Sequence, residues 1–228
     1  MHHTTAPDEG MRRRRILVAV VTLVGLLVTA GVYVALTHSH TSSPVDRVSS
    51  SAVVGAPEPA PAVAAVDGVL PELAPTADPE TFARLAAHAI FDWNTTLVVP
   101  LASYTSRLVA VADPSGESSP GLVADLATYL PTATAWPRLR TYSTRQWLRI
   151  TSVAVPSLWP QAQKQAGSSL LPGTTAYTIT GIRQRAGVWE GDPVASEHHI
   201  AFTVFIVCTP AYPDCHLLRL SRLDEPLD

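Results

Sequence analysis

The chain has 228 residues, of which 46% are hydrophobic and only 15% are charged, and its formal net charge is −3. This composition supplies enough apolar surface for a packed core, which excludes a disordered polyelectrolyte, and the length excludes a large multidomain enzyme. The near-neutral balance of 16 Lys and Arg against 19 Asp and Glu gives no overall electrostatic reason to expect direct nucleic-acid binding.

The first predicted element is a membrane-spanning helix over residues 16–36. This run of 21 residues contains no charged side chain and directly follows the four arginines 12–15. At 1.5 Å per residue it is about 31 Å long, close to the thickness of the bilayer hydrocarbon core. The arginines favour a cytoplasmic segment 1–15 and an extracytoplasmic location for everything after the helix, in the cytoplasmic membrane. A cleavable signal peptide is the alternative, but its apolar region would be shorter and no convincing small-x-small cleavage site follows.

Small residues recur within this helix at spacings that let two helices approach closely. Gly31 and Ala35 form a small-xxx-small pair, and Thr22, Gly25 and Thr29 also follow a helical spacing. A homo-oligomer is therefore one candidate assembly. Glycine and alanine are also simply frequent in membrane helices, which is the plainer explanation.

Residues 37–77 are predicted to form an extracytoplasmic linker. Six prolines interrupt a stretch of Ser, Ala and Val that has few charges and no sustained hydrophobic period. A coil of this length spans on the order of 40 Å, and the prolines would lengthen it, so it would hold the globular part away from the membrane. His38 and His40 could bind a metal, but solvated histidines are the simpler interpretation because no Cys or carboxylate lies beside them.

The domain predicted over residues 78–228 opens with helices. Asp78-Pro79-Glu80 has the residue types of a helix N-terminus, and this helix is expected to end near Asn94. A second helix is predicted over 98–112, and a third begins at Ser119-Pro120 and stops at Pro131. The apolar stripes that support the three helices are, in order, Phe82, Leu85, Ala86, Ala89, Ile90 and Trp93; Leu101, Tyr104, Leu108 and Val111; and Leu122, Val123, Leu126, Tyr129 and Leu130.

After Trp136 the apolar period changes from 3.6 to 2, which predicts strands. Four are expected, with a turn at 185–187 and a loop at 209–214, and their approximate ranges are 145–155, 175–184, 198–208 and 215–223. The third is the most apolar, which favours a central position in the sheet. Helices followed by strands are typical of an α+β fold, in which helices cover one face of an antiparallel sheet, and four long strands could curl around the first helix.

The two cysteines of the chain are expected to form a disulfide. Cys208 ends the third predicted strand and Cys215 begins the fourth, so a symmetric hairpin places them opposite each other. An extracytoplasmic compartment permits the bond. The alternatives are a zinc pair completed by His216 or His199, or two free buried thiols.

The sequence contains no motif that identifies a catalytic, metal or cofactor site. The sequence has no G-x-S-x-G nucleophile elbow, no H-E-x-x-H zinc motif, no glycine-rich phosphate-binding loop and no C-x-x-C pair. Glu197-His198-His199 is the densest polar cluster, but adjacent strand residues point to opposite faces, so both histidines cannot bind one ion. A set of acids and tyrosines could line a cone-shaped cavity and support acid–base chemistry, although surface acids and half-buried tyrosines explain it better; its members are Asp92, Tyr104, Asp125 and Tyr177.

Arginines are concentrated in the strand region and could form a patch for an acidic partner or for DNA. Because acids are interspersed in the same region, a mixed surface is the better interpretation. The arginines are Arg138, Arg140, Arg145, Arg149, Arg183, Arg185, Arg219 and Arg222, and the acids are Glu190, Asp192, Glu197, Asp224 and Glu225.

The overall plan resembles inner-membrane assembly proteins of type IV secretion and conjugation systems, the TcpC-like and TraM-like proteins of Gram-positive bacteria. The resemblance covers residues 11–228 in architecture and is carried by the opening helix with Phe82, Ala86 and Trp93 and by three segments, which are 121–126, 201–205 and 217–224. It implies an extracytoplasmic domain with the cone-shaped nuclear-transport-factor-two-like fold. It transfers no functional residue, and it does not predict the cysteine pair. Membrane proteins associated with mammalian-cell-entry (Mce) lipid-import complexes share the same plan.

We therefore expect a non-catalytic bitopic membrane protein that serves as an assembly or scaffold subunit of a conjugation-like envelope complex, with the membrane and other subunits as its partners. The alternative is a tethered accessory module of a transport complex that binds a lipid or another small molecule. An enzyme of the ketosteroid-isomerase-like type ranks third, because no acid–base pair is evident. A filled cone would argue against the small-molecule function.

Overall fold

A computed structural model of the protein describes residues 69–228. The predicted membrane helix 16–36 and most of the predicted linker lie outside this range. Within it, no helix is both long enough and apolar enough to cross a bilayer.

Helix α1 spans Pro79–Phe91 and begins as its sequence predicts. The side chain of Asp78 accepts a hydrogen bond of 2.7 Å from the backbone N–H of Thr81, which satisfies one of the free donors of the first turn. The predicted end near Asn94 is wrong by three residues. The chain leaves the helix after Phe91 because Trp93–Asn94 forms a short strand, β1, that pairs with residues 145–146.

The next two helices also begin near prolines, as predicted. Helix α2 spans Leu101–Val109 and helix α3 spans Ser119–Tyr129, with Pro100 and Pro120 at their starts. Two further helices were not predicted. Helix α4 spans Ala135–Thr141, and helix α5 spans Trp159–Ala166 and continues into a 3-10 turn at Gly167–Ser169. Both are short, contain a proline and lie between longer elements, so they carry almost no helical period.

Five strands form one antiparallel sheet in the order β1-β2-β3-β4-β5, and the sheet curls into a half-barrel. Their bounds are Trp93–Asn94 for β1, Arg145–Ala154 for β2, Thr174–Trp189 for β3, Asp192–Val207 for β4 and His216–Leu220 for β5. The α+β class and the antiparallel curled sheet are as predicted, and residues 69–228 contain five helices instead of about three and five strands instead of four.

The hairpin that joins β3 to β4 is much longer than predicted. The two strands pair without a register shift from Thr174 opposite Val207 to Trp189 opposite Asp192. The predicted turn at 185–187 therefore lies inside β3, and the turn is made by Glu190 and Gly191, both with positive φ. Gly187 has a different purpose, because a Cβ there would lie 2.8 Å from the carbonyl oxygen of Tyr142.

The core lies between α1, α3 and the inner face of the sheet. Phe82, Ala86 and Ile90 of α1 are fully buried, and they pack in one cluster with residues such as Leu148 and Ile179. Each large apolar side chain buried in this way contributes about 1.5–3 kcal/mol. The opposite face of the sheet is partly covered by α5, where the Trp159 ring lies 6.0 Å from that of Phe205.

Residues 69–77, which fall in the predicted linker, pack against this domain. Leu70 and Leu73 are each only 7% exposed. Thr76 accepts a hydrogen bond of 2.8 Å from the backbone N–H of Cys215. The folded part of the chain therefore begins before the predicted boundary at residue 78.

Candidate interaction surface at the β3–β4 hairpin

The two cysteines are joined in the structure. Their sulfur atoms lie 2.01 Å apart and their Cα atoms 4.2 Å apart, so the bond closes the predicted loop 209–214. Within this loop, the Tyr212 hydroxyl donates a 2.8 Å hydrogen bond to the buried carboxylate of Asp113. The disulfide loop thus connects β4, β5 and the α2–α3 connection.

The four acids and tyrosines that could have lined a cavity are not brought together. Asp92 accepts a hydrogen bond from the backbone N–H of Leu148 at 2.8 Å and lies 2.9 Å from Nδ1 of His88. Asp125 instead holds β5 to α3, since its carboxylate accepts two hydrogen bonds from Arg219, at 2.6 and 3.0 Å, and one from the N–H of Leu220, at 3.0 Å.

The tyrosines of the set are structural too. The hydroxyl of Tyr104 bonds the backbone of Asn94, accepting from its N–H at 3.2 Å and donating to its carbonyl at 3.3 Å. Tyr177 is half-buried opposite Val204. Its pKa is raised mainly by burial and, to a smaller extent, by the negative charge of the Glu80 carboxylate. Among the described residues, no hydrogen bond joins any two of these four acids and tyrosines. The structure therefore does not support a catalytic cavity lined by them.

Three aromatic rings pack together in the interior of the domain. Phe91, Tyr129 and Phe202 lie with their ring centroids 5.2–5.8 Å from one another. Burial raises the pKa of the Tyr129 hydroxyl well above its ordinary value, and that hydroxyl donates a 2.7 Å hydrogen bond to the carbonyl of Ser221. All three rings therefore belong to the packed interior.

The two adjacent histidines of β4 point to opposite faces of the sheet, as strand alternation predicts. His198 lies opposite Arg183 and His199 lies opposite Ile182, and both histidines are exposed. Among the described residues, no group of three or more His, Cys, Asp and Glu side chains could hold a metal ion.

The eight arginines are spread over several surfaces. Arg219 and Arg222 pair with Asp125 and Glu225, and Arg145 lies 5.7 Å from the ring of Trp147. Arg183 and Arg185 follow each other at i and i+2 on the inner face of β3, and within residues 69–228 neither forms an ion pair with a carboxylate. These two residues therefore leave a local excess of positive charge.

Arg185 is half-buried at the inner wall of the hairpin. Its Nη2 donates a 2.7 Å hydrogen bond to Oε1 of Gln146, and its guanidinium lies 5.4 Å from the ring of Trp93. Burial lowers the pKa of Arg185, and the positive charge of Arg183 lowers it further. An anion placed beside these two side chains would offset both effects.

Sequence reasoning missed a cluster of exposed apolar side chains at the end of the hairpin. Tyr142 and Trp189 stack with ring centroids 4.8 Å apart and are 38% and 52% exposed, beside Val188 and Val194 at 41% and 48%. A cavity of about 300 Å³ opens among them, and Arg185, Thr144 and Ser196 also line it. We refer to Tyr142, Val188, Trp189 and Val194 as the hairpin patch.

The hairpin patch could not be read from the sequence because its members come from two distant segments. Helix α4, which ends beside Tyr142, is not predicted by the sequence. Residues 188–197 around Trp189 fall between the predicted turn at 185–187 and the predicted strand at 198–208. The one available signal was the position of large apolar residues next to Glu190-Gly191, where a surface turn makes burial unfavourable.

No protein-family model, curated protein or solved structure matches this chain.

Proposed function

We propose that this chain is a non-catalytic, membrane-tethered assembly subunit of an envelope-spanning complex of the conjugation or type IV secretion kind, with an extracytoplasmic domain of nuclear-transport-factor-two-like type. The observation that carries the proposal is the hairpin patch, an exposed aromatic and aliphatic surface on a domain whose enclosed space is filled. Exposed aromatic residues of this kind are enriched at protein–protein contacts.

The packed interior argues against the two competing classes. A ligand carrier or an isomerase-like enzyme on this fold would need an open space inside the cone. Here Phe91, Tyr129 and Phe202 occupy that space in mutual contact. The acids that could serve in acid–base chemistry, Asp92 and Asp125, instead accept hydrogen bonds from the backbone of Leu148 and Leu220.

A tether makes a small contact surface sufficient. Stable interfaces between free proteins bury about 1,200–2,000 Å², which is more than four side chains supply. A protein held in the same membrane as its partner meets it at a local concentration of order mM, so a weak contact becomes effectively intramolecular. The predicted helix 16–36 and linker would supply that tether.

The proposal is tested by restoring transfer of DNA or protein in a host strain that lacks the gene. Full-length protein should restore transfer, whereas the fragment 69–228 without its anchor should not. Transfer that is normal without the gene would contradict the assembly function. A folded His199→Gln variant should transfer normally, and loss of transfer in it would favour an enzymatic function.

The contribution of the hairpin patch is tested separately in the full-length protein. Replacing both Trp189 and Val194 by Ser should lower transfer by roughly tenfold or more, as expected when central interface residues are lost. The matched control replaces Val98 and Val155, which are 87% and 50% exposed and lie outside the patch, by Ser. Equal transfer by the two double variants would show that the patch is not the contact surface.

The cavity within the hairpin patch supports a second candidate, a lipid-binding accessory of a transport complex. Its volume of about 300 Å³, its apolar walls and Arg185 suit the carboxylate end of a fatty acid. Native mass spectrometry with oleate would detect such binding, and an Arg185→Gln variant should lose it.

A further inference from the structure

Half of one edge of β4 has no neighbouring strand within residues 69–228. Strand β3 pairs with β4 along its whole length, but β5 pairs only with residues 204–207. The C-terminal segment extends this side by bonding Thr203 and Ala201. Residues 192–199 lie beyond it, and all eight are exposed.

The hydrogen-bonding pattern shows which backbone groups face this open edge. Ala201 and Thr203 bond the C-terminal segment, so their N–H and C=O groups point away from β3. In an antiparallel ladder this direction repeats at every second residue, and the register of β3 and β4 has no shift. Ala195, Glu197 and His199 therefore present three donors and three acceptors to the open edge, and no described residue bonds them.

We propose that a partner subunit adds an extended strand to β4 along residues 193–199, and that this strand carries an acidic side chain on the inner face of the sheet, beside His198. This inference rests on the proposed assembly function and names the chemistry of the partner. Strand addition gives affinity through backbone hydrogen bonds, while side chains on alternate positions give specificity.

Charge complementarity identifies the acidic residue. On the inner face, His198 lies opposite Arg183 and Ser196 lies opposite Arg185. An added strand would lie about 10 Å from β3, a distance that the side chains of Arg183 and of a glutamate on the added strand can span together. A carboxylate there would lie on the side of Arg183, which forms no ion pair within residues 69–228. On the outer face, Glu197 already accepts a 2.7 Å hydrogen bond from Nε2 of Gln184.

A second copy of this chain fits the edge less well. Antiparallel pairing of two copies over the whole open stretch places the symmetry axis near Ser196. Glu197 of one copy then lies diagonally across from Glu197 of the other, and like charges on neighbouring strands are unfavourable. A charged side chain at such a position is typical of an edge protected against its own copies.

The test uses the full-length protein in detergent micelles and three synthetic peptides of about nine residues. Each peptide alternates Thr and Val, with Glu, Gln or Lys at its centre. Binding of the Glu peptide should slow amide hydrogen exchange at Ala195, Glu197 and His199, while Ser196 and His198 are already slow in the free protein. The Lys peptide should bind about two- to fivefold more weakly, the effect of one cross-strand charge pair.

Two variants distinguish the contribution of charge to peptide binding from the contribution of the backbone hydrogen bonds. Arg183→Gln should reduce the preference for Glu over Lys without abolishing protection of the three amides. Glu197→Pro should abolish binding and keep the fold, because the lost N–H faces the open edge, whereas Glu197→Gln should bind normally. Two further versions of the Glu peptide carry N-methyl groups on alternate amides. Methylating the amides that face β4 should block binding, whereas methylating the amides that face away from β4 should not. This comparison tests the backbone hydrogen bonds without altering the protein.

The inference is overturned if no peptide protects the three amides at about 1 mM, if Glu197→Pro binds like the wild type, or if the Lys peptide binds as tightly as the Glu peptide. None of these measurements uses the transfer assay, so the proposed assembly function and the strand addition fail or succeed separately.

Discussion

At the level of single residues, two acids of this domain connect elements that are distant in sequence. Asp92 joins the end of α1 to β2, and Asp125 joins α3 to β5 through three hydrogen bonds. Hydrogen bonds that involve a charged group and a buried backbone donor are stronger than neutral ones, and a donor left without its partner is costly.

Replacing Asp125 by Ala should therefore destabilise the domain by about 1–3 kcal/mol, because the N–H of Leu220 and the guanidinium of Arg219 lose their acceptor. Urea denaturation of the fragment 69–228 measures the change. The control is Glu80→Ala, which removes an exposed ion pair with Arg84 and should cost no more than about 0.5 kcal/mol. Equal losses in the two variants would contradict the connecting role of Asp125.

Asp113 gives a prediction about pH. Burial alone would raise the pKa of its carboxyl, but hydrogen bonds from Ser115 and Tyr212 lower the pKa below its ordinary value of 3.8 on balance. The stabilisation is then present above pH 3.8 and is lost as the pH falls through the lower folded value. Tyr212→Phe should cost about 1 kcal/mol at pH 6, and the difference from wild type should shrink below pH 3.8. A difference that is constant down to pH 2 would contradict this.

At the level of elements, the sequence predicts what carries a long period or a defined start. The caps and prolines at Asp78, Pro100 and Pro120 locate α1, α2 and α3, and strand alternation locates β2 and the inner halves of β3 and β4. It fails for α4 and α5, which are too short to show a helical period. It also fails for the outer half of the β3–β4 hairpin, where neither face is buried and no alternation results.

The hairpin patch and the open edge of β4 lie in that outer half, which is why the candidate surface escaped prediction. Gly187 contributed to the wrong prediction of a turn at 185–187, because glycine in a polar stretch indicates a turn. Here it permits close approach of two backbones instead, with the N–H of Val188 donating a 2.8 Å hydrogen bond to the carbonyl of Tyr142.

Replacing Gly187 by Val, a residue that strands favour, should consequently destabilise the domain by about 1–3 kcal/mol, because a Cβ would lie 2.8 Å from the Tyr142 carbonyl oxygen. It should also separate Tyr142 from Trp189, and tryptophan fluorescence reports that change. The matched control is Ala195→Val, an exposed position on the facing strand. If Gly187→Val is as stable as the control, the close approach does not hold the hairpin end in place.

At the level of the whole molecule, the segment 69–77 belongs to the domain and not to the linker. Leu70 packs with Trp93, Tyr104 and Trp136 in a second apolar cluster, and Leu73 packs in the main core. Prolines 71 and 75 concealed this in the sequence, because they gave the segment the composition of the linker before it. The carbonyl of Thr76 also accepts a hydrogen bond from the N–H of Cys215, so the disulfide loop helps to hold this segment on the domain.

The extent of the domain can be measured with two fragments. Fragment 78–228 lacks Leu70 and Leu73, each worth about 1.5–3 kcal/mol when buried, so it should be roughly 3–6 kcal/mol less stable than fragment 69–228. Because small domains have only about 5–15 kcal/mol in total, fragment 78–228 should be largely unfolded at 37 °C or close to it. Replacing Leu70 and Leu73 by Ser within fragment 69–228 should reproduce the loss. Val69→Ser should not, since Val69 is 69% exposed. Equal urea midpoints for fragments 69–228 and 78–228 would show that the stable domain begins at residue 78, as the sequence predicts.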